Sequence, residues 1–129
     1  YFFLATCLDV FNSFHVPDFH IDWYERGWIK DQGSLINPLL TPGYLRIQML
    51  PEPMKDRLRE KYNTAQEWMD TNTKNKDKRY DSLIKFLDEA DYTHKIREWL
   101  RTTEKLDALR NENWRDVFPE LTDLPNYSK

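Results

Sequence analysis

The chain of 129 residues has one cysteine, three glycines, no stretch of eighteen consecutive apolar residues and no excess of basic charge. Each scarcity excludes something. A lone Cys7 rules out an internal disulfide and fits a reducing compartment, so a cytoplasmic location is expected. Too few glycines are present for a phosphate-cradling loop or for the tight turns of a sandwich or barrel of short hairpins. Without a long apolar run there is no candidate membrane-spanning helix. The apolar opening does not read as a secretory leader, because no basic segment precedes it and no small-residue cleavage site follows. Nineteen basic residues against 22 acidic give a net charge of −3, so the basic footprint that nucleic acid requires is missing.

What the chain has is aromatic mass and charge, unevenly distributed. Five Trp, seven Tyr and seven Phe supply large apolar side chains. Residues 1–50 carry five acids and three bases together with most of the unbroken apolar sequence, whereas residues 51–129 carry seventeen acids and sixteen bases. The first part reads as sheet with its crossover and the second as an outer helical layer. Residues 1–51 are therefore expected as a strand–helix–strand unit, and residues 52–129 as a helical region packed on it.

The opening run Tyr1-Phe2-Phe3-Leu4-Ala5-Thr6-Cys7-Leu8-Asp9-Val10-Phe11 reads as a buried strand, roughly Phe2 to Phe11. Its even positions form the more apolar face, with Cys7 and Asp9 on the other. Pro17 suits the first turn of a helix from Pro17 to Arg26, with Asp18 and Asp22 near its positive end and Gly27 as its stop. Asp31 to Gly43 reads as irregular. Tyr44 to Leu50 alternates, with Leu45, Ile47 and Met49 on one face and Tyr44, Arg46 and Gln48 on the other, and reads as a second strand ended by Pro51. Strand, helix, strand predicts a parallel pair with a right-handed crossover. Two strands do not make a stable sheet alone, so the expectation is the C-terminal piece of a larger α/β protein.

Three helices follow. Met54, Leu58, Tyr62, Ala65 and Met69 form an apolar stripe over Glu52 to Met69. Tyr80, Leu83, Ile84 and Leu87 mark a second helix from Tyr80 to Ala90. Ile96, Trp99, Leu100, Leu106 and Leu109 mark a third from Tyr92 to Arg110. The polar stretch Asp70 to Arg79 reads as a solvated loop. Trp114, Val117 and Phe118 make a last short turn, stopped by Pro119 and clamping the tail.

Parallel sheets with helices outside work at the C-terminal ends of their strands. That rule selects Cys7 and Asp9 on the polar face of the first strand, then Asn12 and Ser13 just past its end. The polar face of the second supplies Arg46 and Gln48. Arg46 could hold a carboxylate or an anionic ligand through its planar fork. Mutual satisfaction of these polar groups inside a barrel is the competing explanation. Cys7, His15 and His20 match no zinc spacing, so no metal ligand is assigned.

Several segments, in order, resemble the C-terminal third of radical S-adenosylmethionine proteins with a SPASM or twitch extension, a group common in bacteriophage and environmental sequences. Thr6-Cys7-Leu8-Asp9-Val10-Phe11-Asn12 is similar to their late barrel strand closed by Phe-Asn, and Phe19 to Trp28 to their crossover helix. Pro42-Gly43-Tyr44-Leu45-Arg46-Ile47-Gln48-Met49-Leu50-Pro51, followed by Met54-Lys55, resembles their strand P-x-Y-L-x-I-x-x-L-P and the helix after it. Leu106-Asp107-Ala108-Leu109-Arg110-Asn111 and Asn113-Trp114-Arg115-Asp116-Val117-Phe118-Pro119-Glu120-Leu121 resemble the family's ending, L-D-x-x-R and then F-P-E-L. The family's cluster motif, Cys-x3-Cys-x2-Cys, is absent here, and in the family it lies upstream.

The resemblance implies an α/β fragment: the last strands of a partial (β/α) barrel followed by a helical C-terminal layer. It implies a parent enzyme that binds a 4Fe-4S cluster and S-adenosylmethionine and starts radical chemistry, with no cofactor ligand on this segment. The partner would be the missing N-terminal part of the same protein. Asn12 and Ser13 would lie on the S-adenosylmethionine side, and Asp9, Arg46 and Gln48 would face the lumen. Two other readings stand beside it. One is a non-enzymatic helical interaction module binding protein through Trp68, Trp99 and Trp114. The other is a small metal protein using Cys7, His15 and His20.

Overall fold

A computed structural model describes residues 4–30, 34–74 and 77–127. Two parallel strands, β1 (Leu4–Leu8) and β2 (Ser34–Pro38), are joined through the helix α1 (Val16–Glu25). Helices α2 (Glu52–Asn72), α3 (Arg79–Asp88), α4 (Ile96–Arg110) and the short α5 (Trp114–Val117) follow. The protein is thus mostly helical with a small parallel sheet. Of the expected first strand, Phe2 to Phe11, Phe2 and Phe3 lie outside the described residues, and β1 ends already at Leu8 because the chain turns at Asp9 and Asn12.

The parallel pair and its helical crossover match the sequence expectation, but the second strand does not. Tyr44–Leu50 is not a strand: Gly43–Leu45 and Ile47–Met49 are two single turns of 3-10 helix, separated by extended backbone at Arg46. Its alternation is misleading, since Ile47, Gln48, Met49 and Leu50 are all buried in succession. That is the signature of a segment threaded between layers, with packing on every side, rather than of a pleated ribbon. The real partner, Ser34–Pro38, falls in the stretch read as irregular. Pro38 is tolerated because it ends the strand.

Each helix forms where its apolar period dictates. Along α2, Met54, Leu58, Tyr62, Ala65 and Met69 are all buried, one stripe on one face, and Pro53 sits in the first turn, where its missing N–H costs nothing. Gln66 latches the turn into α3: its Nε2 donates to Asp77 O and Asp70 Oδ1, and its Oε1 accepts from Tyr80 N, each at 3.0 Å. Tyr80, Leu83 and Leu87 bury the facing side of α3. A 3-10 turn, Thr93–Lys95, precedes α4, and Asn111 ends it in the left-handed conformation at φ 54°, which asparagine tolerates. The expected stripe of α4 holds for Ile96 and Trp99 but fails at its end, where Leu106 and Leu109 are exposed. The last turn of this helix runs past the core.

The core lies between α2, α3 and α4 on one side and the inner face of the sheet on the other, with Leu8, Val10, Ile47, Met49 and Leu50 filling it. Tyr62 Oη crosses it to donate to Ser13 O at 3.0 Å. The tail is clamped as the sequence suggests. Trp114 stands edge-on to Trp99 at 5.0 Å, and Phe118 packs on Phe11 at 5.1 Å. Trp99 is wholly buried at this junction. Trp99→Ala is expected to cost about 3–5 kcal/mol, the usual loss for a large buried aromatic, measured as a lower urea midpoint.

Candidate functional site at the end of the first strand

The sheet is covered on one face only. Thr6 and Ile36 point toward the helices and are half-buried, and Leu8 on the same side is wholly buried. The opposite face carries Ala5, Cys7, Leu35 and Asn37, all exposed. Among the described residues no other strand flanks either edge. The C-terminal end of β1 opens at this bare side.

There the chain makes a tight reciprocal turn. Asp9 N donates to Asn12 Oδ1 at 2.9 Å, and Asn12 N donates to Asp9 Oδ1 at 3.1 Å. Such side-chain pairs replace a backbone turn. Asn12 Nδ2 also donates to Cys7 O at 2.8 Å. Burial raises the Asp9 carboxyl above its ordinary value, against the N–H groups of Asn12 and Phe11, which pull it down. Ser13 is fully buried and donates from Oγ to Val10 O at 3.0 Å, which removes its hydroxyl from any ligand. Asp9 and Asn12 therefore come together as the sequence reading placed them, while Ser13 belongs to the core.

Arg46 and Gln48 are elsewhere, and the reason is the absent second strand. Arg46 Nε donates to Gln48 Oε1 at 2.8 Å and Nη1 to Tyr92 Oη at 3.2 Å. Its guanidinium stacks 4.2 Å over the Tyr92 ring. Gln48 Nε2 donates to Phe86 O at 2.6 Å, and its own carbonyl accepts from Tyr92 N at 3.1 Å. These groups pin the threaded segment to α3 and the turn before α4. They form no polar face of the sheet.

The three residues of the metal reading occupy three environments. Cys7 is exposed on the bare face, and His15 bonds Glu120 at 2.5 Å. His20 is buried in α1 and shares a 3.1 Å hydrogen bond with Thr6 Oγ1. Among the described residues no three His, Cys, Asp or Glu side chains gather as a metal site. The tryptophan stripe of the interaction reading is likewise not a surface, since Trp99 and Trp114 are core.

Sequence reasoning missed two features. One is the buried His20, whose Nδ1 has no partner among the described residues. The alternating pattern Thr6, Leu8, Val10 was the available signal that α1 covers that face. The other is a groove of about 360 Å³ between α4, α5 and the Gly43–Leu45 turn, lined by Phe11, Leu106, Arg110, Val117 and Phe118 among others. Compared with known proteins, the chain matches no family model, no curated protein and no solved structure.

Two expected outcomes follow from this geometry. Asn12→Ala removes the acceptor for Asp9 N and the donor to Cys7 O, and is expected to cost about 1–2 kcal/mol in chemical unfolding. His20 is held down to about 4, first by burial and then by the Arg79 guanidinium. Its folded value lies below the unfolded 6.5, so the unfolded chain binds the extra proton and stability falls as pH drops from about 6.5 toward 4. Between pH 7 and pH 5 the loss is about 2 kcal/mol. His20→Gln is expected to flatten that part of the pH profile.

Proposed function

We propose that this chain is the C-terminal part of a radical S-adenosylmethionine enzyme, closing one side of a partial (β/α) barrel and shielding the site behind it with helices. The observation that carries the reading is the half-covered sheet. Parallel strands occur almost only with both faces covered, and a two-stranded sheet is marginal by itself. Here helices lie on one face, while on the other Ala5, Cys7 and Asn37 are exposed and Leu35, half exposed, borders a cleft with α3. In a barrel that bare side is the lumen, and the small residues Ala5 and Cys7 leave room there. The order of the motifs, from the Phe-Asn strand end to Phe118-Pro119-Glu120-Leu121, supports the same reading.

The residues of this chain do not fit a cluster. A 4Fe-4S centre takes cysteine thiolates, and Cys7 is the one cysteine. Under this reading the missing N-terminal part of the same protein supplies the cluster ligands. The contribution of residues 4–127 is then containment: a wall of β1 and β2, with Asp9 nearest the strand end, backed by α1–α4. Arg46 and Gln48 pin the threaded segment to α3 and the turn before α4, behind that wall.

Anaerobic reconstitution of the full-length parent tests the proposal. Iron–sulfur absorbance and release of 5′-deoxyadenosine from S-adenosylmethionine are expected, with neither from the 129-residue chain alone. A full-length protein that takes up no iron under those conditions refutes it.

A second reading, a helical protein-interaction module, is favoured by one observation. Leu106 and Val117 line the groove between α4 and α5 and are 42% and 63% exposed, and Leu109 on the same last turn of α4 is 77% exposed. Under that reading Leu109→Glu abolishes capture of a partner while leaving the unfolding midpoint unchanged.

A further inference from the structure

The two edges of the sheet are not equivalent, and the backbone register shows which one is built to receive another strand. Leu8 faces Pro38 across the ladder, and Leu8 O accepts from Leu39 N at 2.8 Å. In a parallel ladder one residue bonds the neighbours on either side of its partner, and alternate residues turn away. That phase directs the N–H and C=O of Thr6 and Leu8 toward β2. It leaves those of Ala5 and Cys7, and the N–H of Asp9, on the outer edge of β1. On β2 the outward residues are Ile36 and Pro38.

The outer edge of β1 is already closed at one end. Asn12 Nδ2 donates to Cys7 O and Asn12 Oδ1 accepts from Asp9 N. Those are the two bonds that a residue of a neighbouring parallel strand would make on either side of Leu8. The Asn12 amide therefore stands in for a strand partner at that level. Below it, Ala5 N, Ala5 O and Cys7 N remain without a backbone bond among the described residues. The outer edge of β2 is blunted differently: Pro38 has no N–H at the position where an outward donor would be, a common way to guard an edge.

We infer that β1, not β2, is the docking edge. An extended segment adds there in parallel, pairing with Ala5 to Cys7, and the Asn12 amide stops it at the level of Leu8. The inference rests on the reading of this chain as part of a larger sheet, and it names the partner as a parallel strand and fixes its reach. The side chains flanking that edge, Ala5 and Cys7, are small and exposed, so an incoming strand meets no bulk. Asn12 acts here as a positioning residue for the sheet rather than as a nucleoside contact.

Amide hydrogen exchange on the 129-residue chain and on the full-length parent tests this. In the 129-residue chain the amides of Thr6, Leu8 and Asp9 are expected to be protected and those of Ala5 and Cys7 to exchange at least 100-fold faster. In the parent, Ala5 and Cys7 gain at least 100-fold protection, while Asp9 is unchanged. Ala5→Pro removes an outward N–H and restricts φ in a way an edge strand tolerates, so it leaves the unfolding midpoint of the 129-residue chain nearly in place and lowers that of the parent. Thr6→Pro, which breaks the β1–β2 ladder, lowers both. Unprotected Ala5 and Cys7 in the parent, or new protection at Ile36 in their place, overturns the inference. The two proposals fail separately: protection at Ala5 and Cys7 in a parent that binds no iron keeps the docking edge and removes the radical chemistry.

Discussion

The constraint on which this structure turns is the need of every strand backbone group for a partner. Two parallel strands satisfy each other along one edge apiece and leave the other edges and one face to be dealt with. The protein deals with them unequally. Helices α1 to α4 cover the inner face and bury Leu8 and Val10 completely. The Asn12 amide closes the top of one edge, and Pro38 removes a donor from the other. Among the described residues, what remains exposed is Ala5, Cys7, Leu35 and Asn37 on the outer face, with one unclosed stretch of backbone beside them. On the inference drawn above, that stretch is where a neighbouring strand docks.

The helices were legible because their signal is redundant. The stripe Met54, Leu58, Tyr62, Ala65, Met69 repeats five times at helical spacing, so one exception would not have erased it. The first strand was legible by density of apolar residues. The second was not, and the physical reason is that period-two alternation has two sources. A half-buried strand produces it, and so does a threaded segment whose polar side chains are internally satisfied. Arg46 and Gln48 belong to the second case. Gln48 is buried but donates to Phe86 O and accepts from Arg46 Nε, so its polarity says nothing about solvent or a lumen. Conversely, Ser34–Pro38 has five residues, one of them proline, and faces solvent with Leu35 and Asn37, which leaves no clean alternation to read.

The same ambiguity decides the site. The sequence places Asn12 and Ser13 just past a strand end and Asp9 within the strand; the strand ends at Leu8, so Asp9 joins them in the turn, where topology rules say to look. Residue type alone did not say which of the three is free. Ser13 and Asn12 are both engaged, one with Val10 O inside the core and the other along the strand edge. The Asp9 carboxylate accepts from the N–H groups of Asn12 and Phe11, which pull its proton affinity down, but burial outweighs them and raises it. A half-buried carboxyl with a raised proton affinity at a strand end is a familiar feature of working sites. Here it also follows from the turn itself, because the Asn12 N–H it accepts is what folds the strand end back under α1.

Under the docking inference that double service would link local structure to a larger sheet. The Asp9–Asn12 turn sets the direction in which the chain leaves β1, which sets where α1 begins, which brings His20 beneath the sheet to Thr6. Loosening the turn therefore acts on two surfaces together. It frees Cys7 O and Asp9 N on the outer edge, extending the stretch open to pairing, and it weakens the seat of α1 on the inner face. A parallel neighbour held in register by its own side chains would be indifferent to the first effect. One that relies on the Asn12 stop would slide by two residues, since the pleat repeats every second position, and would carry its inward-facing groups away from the level of Asp9. On the docking inference, one asparagine side chain sets both the reach of the sheet and the geometry of the strand end.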